Sequence, residues 1–294
     1  MVECMDVESD GGKSRTATAE TVCQVLVNGL RLGPGNLDTG RPLGDQLDSL
    51  QLAEAAVVLS QIGIPVHDFR LPSRTPAELE EYWHQPGAGS YTASPPVDIP
   101  SQHQTSESGM LRRPPLRTPN LQLTPVTAEN FPFLYALAID EEVGYRWRFR
   151  GSIPSPEDFQ KAFWQGTLTQ FVVNMTSAAE SIGHVVCYAY EPGHQHAFVG
   201  MVFAPPVLGT GLPLEAASCF LNYLFNTWNL RKLYFEVPEF NYPQFASGAG
   251  RYFHEEGRLR QHEFYAGRYW DKLYLAIYRD DVIPPAAPGP PFTG

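Results

Sequence analysis

Apolar positions recur at helical spacing in three early segments. Between Glu20 and Leu30, Val22, Val25, Leu26 and Leu30 share one face. A Gly- and Pro-containing loop follows (LGPGNLDTGRPLGDQ). A second helix is predicted from Ser49, with Leu50, Ala53 and Val57 on one face and Leu52, Ala56 and Leu59 beside it. Gly63 and Pro65 end it. A third is predicted from Thr75 through Leu79 and Tyr82, where Pro76 suits the first helical position.

Beyond residue 120 the pattern changes to mixed α/β. Helices are predicted over Phe131 to Ile139 and Pro156 to Phe163. Thr169 to Asn174, Ser181 to Tyr190, His196 to Ala204 and Leu233 to Val237 are rich in β-branched and aromatic residues and read as strands. Pro213 to Trp228 is amphipathic, with Ala216, Phe220, Tyr223, Leu224 and Trp228 on its apolar face. His262 to Tyr265 and Trp270 to Tyr278 form a terminal hairpin around Ala266-Gly267-Arg268.

Between the two parts the periodicity stops. Residues 86–119 hold seven prolines and several Ser and Gly residues, which reads as a linker, part coil and part polyproline-like. Residues 282–294 form a Pro-rich tail. The expected organisation is therefore 14–85, a small all-α bundle; 86–119, linker; 120–281, an α/β domain with a mixed central sheet; and 282–294, tail.

Charge narrows the partners. The chain of 294 residues has a formal net charge of −11, and its first 85 residues hold six Lys or Arg against thirteen Asp or Glu. An acidic surface repels phosphate backbones, so no nucleic-acid partner is expected. No apolar run reaches the roughly 18 residues of a membrane span, so no membrane partner is expected either. The opening MVECMDVESDGGKSR is polar, which gives a cytoplasmic expectation. The four cysteines, Cys4, Cys23, Cys187 and Cys219, are scattered, with no zinc spacing, so no metal site is expected.

Two segments suggest chemistry. Asp48-Ser49-Leu50 stands where a loop meets a helix N-terminus. There the serine hydroxyl is exposed and the helix dipole favours an attached phosphate; as an isolated tripeptide, it reads first as a simple N-cap. Its context is more specific. GDQLDSLQLAEAAVVLSQIGIPVHDFRLPSRTPAELEEYW resembles acyl and peptidyl carrier proteins along its whole length. That resemblance implies a four-helix carrier bundle over 14–85. It also implies 4′-phosphopantetheine esterified to Ser49, its thiol holding an acyl group as a thioester, with Asp48 as the acidic residue before the serine. A phosphopantetheinyl transferase and an acyl-loading enzyme or synthase of a secondary-metabolite pathway become the expected partners.

The second segment is Pro206-Val207-Leu208-Gly209-Thr210-Gly211, between a strand and the helix from Leu212. Glycines let backbone amides approach a ligand, and free N–H groups at a helix start bind anions, which suits a pyrophosphate; a plain β-to-α turn is the alternative. Residues 120–281 resemble N-acetyltransferases of the GNAT superfamily, in the ribosomal-protein acetyltransferase branch. The best matches are Gly209-Thr210-Gly211 to Phe225, Arg231 to Val237 leading to Asn241, Glu255 to Arg260, and Gly267 to Asp271. The resemblance implies a GNAT fold with a splayed parallel strand pair that takes pantetheine like an extra strand. It implies direct attack of an amine on a thioester, from acyl-CoA or an acyl-carrier. Leu208, Gly209, Thr210, Gly211 and Asn241 become the expected cofactor contacts.

Departures from that pattern are informative. Where the family has a basic or amide residue three positions before the first loop glycine, this chain has Pro206. Where it has a tyrosine acid, the chain has Ser247-Gly248-Ala249-Gly250, with Tyr242 and Tyr252 nearby but out of register. The strand HQHAFVGM holds no glutamate, leaving His196 as the candidate base, beside Asn241 and Tyr242 as candidate catalytic residues. Arg146-Trp147-Arg148-Phe149-Arg150 reads as a lining of the acceptor side, as a docking patch for the acidic bundle, or as a solvated basic turn.

The expected function is transfer of an acyl group between a thioester on Ser49 and the amine of a small metabolite. A linker of roughly 32 residues spans on the order of 30 Å as a coil, enough for delivery within one chain. Two alternatives stay open: loading of the carrier from acyl-CoA, with or without decarboxylation, and a non-catalytic carrier joined to a docking module.

Overall fold

The computed structural model describes residues 21–33, 35–64, 71–84, 114–178 and 180–282. The remainder of the linker, the tail beyond Val282, residues 14–20 and Cys4 lie outside them.

Three helices, each opened by a capping box, build the N-terminal unit. They are α1 (Val22–Gly29), α2 (Ser49–Gln61) and α3 (Pro76–Trp83). Thr21 with Gln24, Asp48 with Gln51 and Thr75 with Glu78 satisfy the free N–H groups of their first turns. Leu26, Leu43, Leu52, Leu59, Ile64 and Leu79 meet in one core. The expected four-helix bundle falls in part on residues 14–20 and 65–70, which lie outside the described residues. The described part of this unit holds these three α-helices, with Leu71–Ser73, which contains Pro72, as a 3-10 turn.

The C-terminal unit is a seven-stranded sheet in the order β1-β2-β3-β4-β5-β7-β6. Its strands are β1 (Leu121–Pro125), β2 (Thr167–Met175), β3 (Ser181–Glu191), β4 (His196–Phe203), β5 (Lys232–Pro238), β6 (His254–Tyr265) and β7 (Arg268–Tyr278). Every neighbouring pair is antiparallel except β4–β5, which is parallel. The last residues of the expected linker belong to this fold, since Leu116 is buried in its core.

Period-two alternation divides the sheet into two faces. Val185, Val199, Leu233 and Leu275 face α6 (Leu212–Thr227), whose Ala216, Phe220 and Leu224 are fully buried against them. Val172 and Val202 face the other way. They pack on Leu134 of α4 (Phe131–Ile139) and on Phe159 and Phe163 of α5 (Pro156–Phe163). A four-residue helix, α7 (Arg279–Val282), follows β7.

Candidate active site

The parallel pair opens along its length. β4 and β5 are in register only at His196 with Lys232, Ala197 with Leu233 and Phe198 with Tyr234. Beyond that, β4 continues to Phe203 on β3 and β5 continues to Pro238 on β7. Each diverging strand keeps one partner and loses the other, so a wedge opens through the sheet.

A cavity of about 900 Å³ passes through this wedge. On the helix face its walls include Val199, Met201, Phe235 and Val237 with Leu214 and Leu221 of α6. On the opposite face they include Val186, Tyr188, Gly200 and Glu236 with the segment Arg146–Arg150. One mouth is therefore mainly apolar and the other mainly polar.

Helix α2 closes the apolar mouth. Gly211 caps α6 at φ 85°, a conformation that disfavours side chains, and a Cβ there would lie 3.0 Å from the Ala53 carbonyl and 3.2 Å from the Ala56 Cβ. Gly209 is buried beneath Pro72. The loop expected to meet a diphosphate is thus covered by the N-terminal unit.

Polar contacts hold the helix in place. The Ser247 amide donates to Asp48 at 2.9 Å, and the Ser247 hydroxyl donates at 3.0 Å. Glu54, 7% exposed, pairs with Arg251 at 2.8 Å and accepts a hydrogen bond from the Tyr252 hydroxyl. Burial, then the bond to Glu54, raises the Tyr252 phenol above its ordinary value. The stretch that lacks the tyrosine acid has a packing reason for its glycine. A Cβ on Gly248 would lie 2.6 Å from Leu50 Cδ2 and 2.8 Å from Phe253 Cε1.

Ser49 lines the cavity where α2 meets it. Asp48 is the N-cap, so Ser49 is the first helical residue, and its side chain is exposed. The cap function that Ser49 could have served is taken by its neighbour, which leaves the hydroxyl uncommitted.

Other expected residues separate into two groups. Asn241 lines the cavity, and its Oδ1 is buried without a hydrogen-bond partner among the described residues. Leu208 and Gly209 border a smaller hollow shared with Asp48 and Ser49. Thr210 folds back on its own turn, its hydroxyl donating to the Val207 carbonyl at 2.7 Å. Tyr242 packs edge-on to Phe245, 5.9 Å between ring centres, within the apolar core. His196 is not among the lining residues. It stands at the first register pair of β4–β5, before the wedge, with Tyr234 edge-on at 5.5 Å.

Sequence reasoning missed Glu236 and Tyr188. Both come from the face of β5 and β3 opposite the core, a position that strand alternation would have supplied. Glu236 accepts from Lys272 at 3.1 Å. Burial, then the nearby Glu236, pushes the Tyr188 phenol up to about 12, so it stays protonated at neutral pH. Burial pushes Cys187 up to about 12 and Cys219 to about 11, leaving neither as a thiolate. Among the described residues no helix is long and apolar enough to cross a membrane, and no cluster of three His, Cys, Asp or Glu forms a metal site.

Residues 120–246 match the family described as acetyltransferase (GNAT) domain. No curated protein matches the chain significantly. Among solved structures, the spermidine N-acetyltransferase from Vibrio cholerae in complex with CoA and spermine is 24% identical with a TM-score of 0.49. That comparison covers 55% of this chain and 97% of the other. A dodecameric structure of spermidine N-acetyltransferase from Vibrio cholerae in an intermediate state is 23% identical with a TM-score of 0.46, over 54% of this chain and 94% of the other. The family match, with the mixed sheet and its splayed parallel pair, supports an acetyltransferase (GNAT) domain over residues 120–246, and with it an N-acyltransferase.

Proposed function

We propose that this chain transfers an acyl group between a thioester arm on Ser49 and the amine of a small metabolite, within one polypeptide. One observation carries the reading. The exposed Ser49 side chain lines a cavity that runs through the β4–β5 wedge, while its own helix is bonded to the catalytic domain.

The residues present fit a 4′-phosphopantetheine arm. A phosphate on Ser49 would sit at the N-terminus of α2, where the helix dipole favours negative charge. The buried, unpartnered Asn241 Oδ1 supplies an acceptor for an amide N–H along the wedge. When bound, the arm supplies a thiol that presents the acyl group as a thioester.

The chain's own residues do the rest. Val199, Met201, Phe235 and Val237 exclude water from the donor side. Glu236, the carboxylate that lines the polar face, accepts the proton of the attacking amine, and Lys272 holds it in position. The amine's N–C bond forms as the C–S bond breaks. The departing sulfur is a good leaving group, so no tyrosine acid is required. Tyr252 is in any case committed to Glu54.

The covered loop favours this donor over free CoA, because α2 occupies the space where a diphosphate would meet Gly209 to Gly211. The same cover disfavours loading of the arm from acyl-CoA. Intact mass after co-expression with a phosphopantetheinyl transferase tests attachment. Kinetics with the acylated arm against acyl-CoA test donor choice. Equal or better use of acyl-CoA would sink the preference.

A further inference from the structure

The polar mouth of the cavity is richer in positive charge than the chain around it. Arg146, Arg148 and Arg150 line it, in a molecule of net charge −11. Arg150 pairs with Glu263 at 3.5 Å. Arg146 and Arg148 pair with no carboxylate among the described residues. Arg146 Nε donates to the Tyr145 hydroxyl at 2.8 Å. Arg148 lies 4.7 Å from the Phe163 ring centre and donates from Nη1 to the Ala162 carbonyl at 3.4 Å. Its Nε is buried with no partner among the described residues.

Burying a guanidinium beside aromatic rings without an anion is costly. An anion from a substrate would remove that cost and accept the hydrogen bonds left over. Glu236 lines the same face. The polar face of the lining therefore offers two cations without carboxylate partners, beside the Glu236 carboxylate.

We infer that the acceptor is an amine that also bears a carboxylate, with the carboxylate held by Arg146 and Arg148 and the amine turned toward Glu236 and the wedge. The inference deepens the proposed function and rests on it only for which face the acceptor occupies. Arginine suits a planar carboxylate because its N–H groups form a fixed fork.

The test uses the full-length protein with two donors, the acylated Ser49 arm and acetyl-CoA. Acceptors are glycine, β-alanine and γ-aminobutyrate, each against its carboxamide, which keeps the amine and removes the negative charge. The best acid is expected to exceed its amide in kcat/KM by at least about tenfold, the scale of a lost charged hydrogen bond. Arg148→Gln and, separately, Arg146→Gln are expected to bring that ratio toward one. The Arg146 variant guards against a folding defect at Arg148, which packs on Phe163. Equal or better use of the amides overturns the inference, as does a ratio that survives in both variants or the absence of transfer to any of the acids. Preference for acids with acetyl-CoA alone, without turnover of the arm, supports the acceptor inference and sinks the carrier reading instead.

Discussion

The two ends of the β4–β5 pair solve opposite problems. At the closed end the strands are in register, and a polar knot ties them to their neighbours. Glu256 of β6 accepts from Lys232 Nζ and the Tyr234 hydroxyl, both at 2.6 Å, and from the Tyr278 hydroxyl. At the open end the strands lose each other, the Asn241 side-chain Oδ1 has no partner among the described residues, and a helix from another part of the chain packs over the gap. The closed end commits these polar groups to the fold, whereas the open end keeps at least one buried acceptor, Asn241 Oδ1, unpaired on the cavity wall.

The largest expected effect breaks the open end at its source. Ser49→Ala abolishes phosphopantetheine attachment and all transfer from the arm, read by intact mass. Undocking the helix comes next. Glu54→Lys leaves Arg251 facing a second cation in a buried position, and cutting such a pair costs about 3–5 kcal/mol. Transfer within the chain is expected to fall by at least about 100-fold. Combining Glu54→Arg with Arg251→Glu should restore part of it, whereas failure of both to change the rate would remove α2 docking from the mechanism.

Smaller effects sharpen the contrast. Asn241→Leu is expected to slow transfer about tenfold without lowering the melting temperature, because Oδ1 has no hydrogen bond to lose. A matching drop in both would make Asn241 a scaffold residue. Glu256→Gln should do the reverse. Against a burial effect that raises it, hydrogen bonds from Lys232, Tyr234 and Tyr278 pull the Glu256 carboxyl down to about 2. A lowered folded value gives stability that is present above the ordinary carboxylate range and lost as pH falls toward 2. Melting curves at neutral pH should therefore separate wild type from variant and converge in acid, with transfer unchanged. His196→Ala, at the closed end, should leave the transfer rate as it was.

Much of this was legible in the chain. Helix α2 begins at Ser49, α4 and α5 have the expected bounds, and β5 lies within a residue of its predicted ends, because each has a strong period and a clear stop. β1 escaped notice because it has only five residues and ends in Pro125. The first two thirds of β6 escaped because its exposed polar residues show no alternation. The site divided differently. Ser49 and Asn241 were named from motif context, and both line the cavity. His196 was named as a histidine of the β4 strand, and register sets it at the closed end, away from the cavity lining. Glu236 was overlooked because a hydrophobic run hides the fact that alternate residues leave the core. The bonds of Asp48 to Ser247 and of Glu54 to Arg251 join positions about 200 residues apart, and no local pattern announces them.

A passage with two mouths has a kinetic consequence. Reactants arriving from opposite sides of a sheet need not take turns in one vestibule. The arm belongs to the chain, so transfer from the preloaded arm in a single turnover should saturate with acceptor alone. Product amide can then leave on the arginine side while the spent arm is still threaded from the other.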